Sequence, residues 1–95
     1  MALSDEEVAR ALVELEGWTG DRAAITRTVR LPGFPVAIAV VDRVAEAAEE
    51  LNHHPDIDVR YATLTFRLSS HDVGGVTDRD LRLAARIDAI VEAAA

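Results

Sequence analysis

The chain has 95 residues, no cysteine, and seventeen acidic against ten basic side chains, a net charge of −7. That sign argues against nucleic acid, anionic lipid and an acidic partner surface, and the missing cysteines exclude a disulfide scaffold, a thiol nucleophile and cysteine-ligated zinc. The length suits one domain over residues 1–95, the 49% apolar share can fill a core, and an acidic N-terminus with no long apolar run predicts a soluble cytoplasmic protein.

Ser4 followed by Glu7 is a capping box, in which the hydroxyl takes the Glu7 amide and the glutamate reaches back. Val8, Leu12 and Leu15 then share a helical face, and Gly17 stops a first helix over about residues 5–16. A turn at Gly20-Asp21 joins Trp18-Thr19 to the stretch Ala23–Leu31 as a hairpin. Within that stretch Ile25, Val29 and Leu31 face one way, while Arg27 interrupts the apolar face and must bring its head to water near an edge. Pro32-Gly33 breaks the chain, and Pro35 suits the first turn of a second helix running to Leu51. Its stripe is Ala37, Val41, Val44, Ala48 and Leu51, and its first half is apolar all round, so a subunit interface is expected to cover part of it. Pro55 ends that region and pushes His54 towards extended geometry.

From Ile57 to Ser69 the chain reads as β structure, either one bent strand or a tight pair, with Ala62, Leu64, Phe66 and Leu68 on one face. After a Gly74-Gly75 turn of positive φ, Thr77 starts a third helix that buries Leu83, Ile87 and Ile90, with Ala84 and Val91 beside them. The order is α-β-β-α-β-β-α, an α+β fold whose antiparallel sheet carries its helices on one face.

All three histidines lie at the ends of these elements: His53 and His54 leave the second helix, and His71 follows the last strand. Imidazole titrates near neutral pH, so three of them beside carboxylates can give a proton to a leaving oxygen and take one elsewhere, without metal or nucleophile. Glu49, one turn before His53, can orient an imidazole by accepting its N–H. Each residue has a plainer reading as well. His53 and His54 suit a solvated helix terminus, Glu49 a solvated helix face, Asp80 a second capping box with Thr77, and Trp18 the core. Zinc is disfavoured, because an adjacent histidine pair suits tetrahedral ligation poorly and no HExxH is present.

The run Ala48-Glu49-Glu50-Leu51-Asn52-His53-His54-Pro55, together with Tyr61, Leu68-Ser69-Ser70-His71, Gly75, Thr77-Asp78-Arg79-Asp80-Leu81, Leu83-Ala84 and Ile87, resembles the pterin-4a-carbinolamine dehydratase family. Gly17-Trp18 and the segment from Phe34 to Ala45 match in spacing, so the likeness covers nearly the whole chain. It implies three helices on a four-stranded antiparallel sheet, assembled as homodimers or homotetramers. It also implies dehydration of a 4a-hydroxy-tetrahydropterin to the quinonoid dihydropterin, which recycles the pterin of aromatic amino acid hydroxylases. The pterin is then the substrate, and no separate cofactor or metal is expected. By the family pattern His53, His54 and His71 are catalytic, with Glu49 and Asp80 in support. The pterin would be held by His53, His54 and Pro55 and by Ser70, His71, Asp72 and Val73. His53 or His71 would act as acid, according to the face carrying the hydroxyl, and His54 as base or anchor. Asn52 departs from the pattern where an aspartate is common, and Ile38 and Val40 replace aromatics of the second helix. The alternative is a non-catalytic oligomeric partner protein of the same fold, which would need the second helix and not the histidines.

Overall fold

The computed structural model describes residues 1–94. Seven elements follow one another: α1 (Asp5–Glu14), β1 (Thr19–Gly20), β2 (Ile25–Arg30), α2 (Phe34–Leu51), β3 (Asp56–Arg60), β4 (Thr63–Leu68) and α3 (Asp78–Ala94). This is the expected α-β-β-α-β-β-α order.

The Ser4 hydroxyl accepts the Glu7 amide at 3.2 Å, and the Ser4 N–H donates to Glu7 Oε1 at 2.9 Å. The Ser4 backbone N–H foremost, with the Ser4 hydroxyl after it, holds the Glu7 carboxyl below the ordinary carboxylate range. The helix stops at Glu14, two residues earlier than the spacing predicts, because the Leu15 amide tightens back onto the Leu12 carbonyl before Gly17 takes φ +93°. In the first hairpin Gly20, at φ +141°, leaves no space for a side chain: a Cβ would stand 2.2 Å from the Ala24 carbonyl oxygen.

The sheet runs β1-β2-β4-β3, antiparallel throughout. The stretch 57–69 proves to be a tight pair, with Arg60 opposite Thr63 and Tyr61 at φ 51° in the turn. Cross-strand partners share a face, so Ile25 with Leu68, and Val29 with Leu64 and Val59, point to the inner side. Thr28 and Thr65 point outward, their hydroxyls 3.0 Å apart. The inner side forms one core with Val8 of α1, Ala37, Val40, Val44 and Ala47 of α2, and Leu83, Ala84, Ile87 and Val91 of α3. All three helices therefore cover one face of the sheet. Burying side chains such as Phe66 and Leu64 completely contributes about 1.5–3 kcal/mol each.

Three details differ from the sequence reading. On α2 the buried line includes Val40 and Ala47, while Val41 and Leu51 are only half-buried. The helix packs in one core with the sheet and with α3, and its Ala37, Ala47 and Ala48 are buried there. On α3 Ile90 is half-buried and Val91 takes the inner position. Arg27 does point inward, opposite Phe66, but its guanidinium leaves the core to meet Asp88 of α3. The same Asp88 oxygen accepts the Trp18 indole N–H at 2.8 Å, so the buried indole is not left unpaired. Among the described residues no helix is long and apolar enough to cross a membrane.

Candidate active site

The site begins where α2 ends. Asn52 adopts the left-handed conformation (φ 51°, ψ 45°), which asparagine tolerates better than most residues, and the chain reverses. The His53 amide then bonds back to the Ala48 carbonyl at 2.9 Å. This reversal turns the His53 side chain inward, 8% exposed, and leaves His54 outside. Pro55 follows and leads into β3.

A second contribution comes from the turn after β4. Ser70 pairs with Gly75 in an isolated bridge, and residues 71–74 bulge out between them. Gly74 has the expected positive φ of 70°, whereas Gly75 is needed for close approach, since a Cβ there would stand 2.8 Å from the Arg22 carbonyl oxygen. His71, Asp72 and Val73 all stand exposed on this turn, while Ser70 is fully buried.

The third contribution is the start of α3. The Thr77 hydroxyl accepts the Arg79 amide at 3.2 Å, and Asp80 Oδ2 reaches back to the Thr77 N–H at 2.9 Å. Asp80 is therefore the cap that its spacing suggested. It is also more than a cap. Its other oxygen, Oδ1, lies 2.5 Å from His53 Nε2, and Oδ2 also accepts the Ser70 hydroxyl at 2.8 Å. Ser70 Oγ is in turn 2.7 Å from Thr77 Oγ1. Asp80 is thus a buried carboxylate that joins the ends of α2 and β4 to the head of α3.

The remaining histidines are placed differently. Glu49 does hold an imidazole, but it is that of His54, at 2.5 Å, and not that of His53 one turn on. The αL residue between them rotates His53 away and brings His54 over the helix end. Both members of that pair are largely exposed, at 61% and 76% of their side-chain surface. His71 has no side-chain partner among the described residues. Asp72 on the same turn receives both bonds from one Arg79 nitrogen, at 2.8 and 3.1 Å. Those bonds keep the Asp72 carboxyl below the ordinary range despite some desolvation, and the Arg79 charge acts in the same direction.

Sequence reasoning did not single out Thr77 as a partner of Ser70, nor Arg79 as the clamp on Asp72. The first was legible in part, as the cap of α3; nothing in the spacing pointed to the second. Asn52, read as a departure in charge, is the residue that sets the turn. Hollows of about 390 and 280 Å³, one beneath the N-terminal segment and one between the start of α2 and the end of α3, carry no histidine. No group of three or more His, Asp or Glu side chains among the described residues is arranged to hold a metal ion.

Comparison with known proteins gives a consistent picture. The family model described as pterin 4 alpha carbinolamine dehydratase matches residues 1–90. A Nocardia farcinica protein, named provisionally as a pterin-4-alpha-carbinolamine dehydratase, is 58% identical over 86 residues, 90% of either chain. A Mycobacterium tuberculosis protein with the same provisional name is 49% identical over 88 residues, 93% of this chain and 94% of that one. Among solved structures, a Brucella melitensis protein described as a transcriptional coactivator/pterin dehydratase superposes with a TM-score of 0.92 at 33% identity, covering 96% and 99% of the two chains. A pterin dehydratase-like protein described as a RuBisCO assembly factor in the alpha-carboxysome shares the fold, with a TM-score of 0.65 at 20% identity over 78% and 86% of the chains.

Proposed function

This chain belongs to the pterin 4 alpha carbinolamine dehydratase family, and we propose that it dehydrates a 4a-hydroxy-tetrahydropterin to the quinonoid dihydropterin by moving protons through its three histidines. In that reaction the C4a–O bond breaks, the hydroxyl leaves as water after accepting a proton, and N5 loses its hydrogen as the N5=C4a double bond forms. One imidazolium supplies the first proton and one neutral imidazole takes the second, so the protein is returned to its starting charge. His53 or His71 is the donor, according to the face that carries the hydroxyl, and His54 is the acceptor or the anchor of the ring. The peptide from His53 to Pro55 and the turn from Ser70 to Val73 would hold the pterin between them.

The observation that carries this reading is the bond from His53 to a fully buried aspartate. A solvated helix terminus has no use for a carboxylate sealed from water behind it. Such a partner orients the ring and supports its charged form during transfer. The proposal extends to one functional unit over residues 1–95, at work in the cytoplasm. It also includes self-association as dimers or tetramers, because Phe34 is exposed and Val36, Ile38 and Val41 are only half-buried along α2.

The test is stopped-flow absorbance on freshly generated 4a-hydroxy-tetrahydropterin. Dehydration should exceed the spontaneous rate, and His71→Ala should lower the enzymatic rate by about 10²–10⁴-fold, the usual share of a general acid or base. The alternative reading, a partner protein without catalysis, predicts no acceleration by the wild type; full activity in His71→Ala would remove the proposed mechanism.

A further inference from the structure

We infer that His53 meets its substrate through Nδ1, because Nε2 keeps its proton in the charged and the neutral ring alike, and that Asp80, Ser70 and Thr77 are the positioning residues that fix it so. The inference rests on the proposed function only for the word substrate; the tautomer stands on geometry alone.

The Arg79 backbone N–H, which can only donate, occupies the Thr77 hydroxyl oxygen at 3.2 Å. The Thr77 hydrogen is then available to Ser70 Oγ, 2.7 Å away, and the Ser70 hydrogen goes to Asp80 Oδ2 at 2.8 Å. The Thr77 N–H, again donor only, reaches the same oxygen at 2.9 Å. The chain of donors therefore ends on Asp80, which as a carboxylate can only accept. His53 Nε2, 2.5 Å from Oδ1, must carry a hydrogen whether the ring is charged or neutral. In the neutral ring the lone pair is then on Nδ1.

Nδ1 is also the nitrogen that can be reached. It has no bonded protein partner, yet among the described residues no buried side-chain nitrogen or oxygen lacks one. In a ring otherwise almost wholly covered, that atom must open to solvent. His54 has no comparable constraint, since water competes at both members of its exposed pair with Glu49.

The experiment is long-range proton–nitrogen correlation NMR on the full ¹⁵N-labelled chain, with the pH raised until the His53 signals stop moving. The expected result is a single tautomer of His53 with its proton on Nε2. A proton on Nδ1, or the averaged pattern of an unconstrained imidazole, would overturn the inference. Asp80→Asn supplies a second arm. Its amide oxygen should stay with Thr77 and Ser70, so its NH₂ faces Nε2 and should drive the His53 proton to Nδ1. An unchanged tautomer in a folded Asp80→Asn would remove Asp80 as the fixing group. Should that variant not fold, the wild-type spectrum still decides. Because neither arm uses the pterin, failure of the dehydratase assay and failure of the tautomer assignment are read separately.

Discussion

His53 and His54 are neighbours, and each holds a carboxylate through Nε2 at 2.5 Å, yet they stand in opposite surroundings. The first pair is 9% and 0% exposed, the second 61% and 76%. Water competes for the outer pair, and such contacts contribute little to stability or to orientation. The inner pair has lost its water, and its carboxylate is satisfied only by protein donors from three elements. The same two functional groups at the same separation thus make a loose surface contact in one case and a fixed instrument in the other. Burial and the number of converging donors set the difference, and the distance does not.

The most forceful way to break this contrast is Asp80→Ala. It strands His53 Nε2, the Ser70 hydroxyl and the Thr77 N–H at once, and removing one member of a buried pair costs about 3–5 kcal/mol. Urea denaturation should show a lower midpoint with little change in slope. A loss below about 1 kcal/mol would mean that the pair is worth no more than a surface contact. Ser70→Ala asks for less. It takes one donor from Asp80 and one partner from Thr77, and should cost about 1–3 kcal/mol, the range for a buried group left short of a hydrogen bond.

Glu49→Gln probes the outer pair. Its effect on stability should stay within about 1 kcal/mol, since both partners are largely solvated. Measured beside Asp80→Asn, this variant sharpens the contrast: each change neutralises one carboxylate that faces one imidazole. Equal losses from the two would sink the argument from burial.

The element order and the one-sided sheet were legible in the sequence, because these depend on period, caps and breakers within a few residues of each other. What it could not carry was the pairing. Asp80 is 27 residues from His53, and no local spacing says that the cap of one helix reaches the exit of another. Glu49 illustrates the reverse failure. Its spacing to His53 fits a continuous helix, but the helix stops at Leu51, and the left-handed Asn52 exchanges which imidazole comes near. Asparagine just past a helical run is a recognised stop signal, so this exchange was within reach of the sequence. Arg27 falls between the two cases: its need for an outlet was evident, whereas its partner Asp88, on α3, was not.

Asp72 provides the smallest effect, because it is as exposed as the outer pair and yet clamped by both bonds from Arg79. The Arg79 hydrogen bonds lower its titration from the ordinary aspartate value of 3.8, more than desolvation raises it. A carboxyl whose folded value is depressed contributes stability above its unfolded value, and that contribution is lost as pH falls through the folded one. The wild-type advantage over Arg79→Gln should therefore be constant from neutral pH down to the ordinary aspartate range and fade below it. Carbon-detected NMR of the Asp72 carboxyl gives the direct reading: its titration should move up towards the ordinary value in Arg79→Gln. If it stayed where the wild type has it, the clamp would be a contact without consequence.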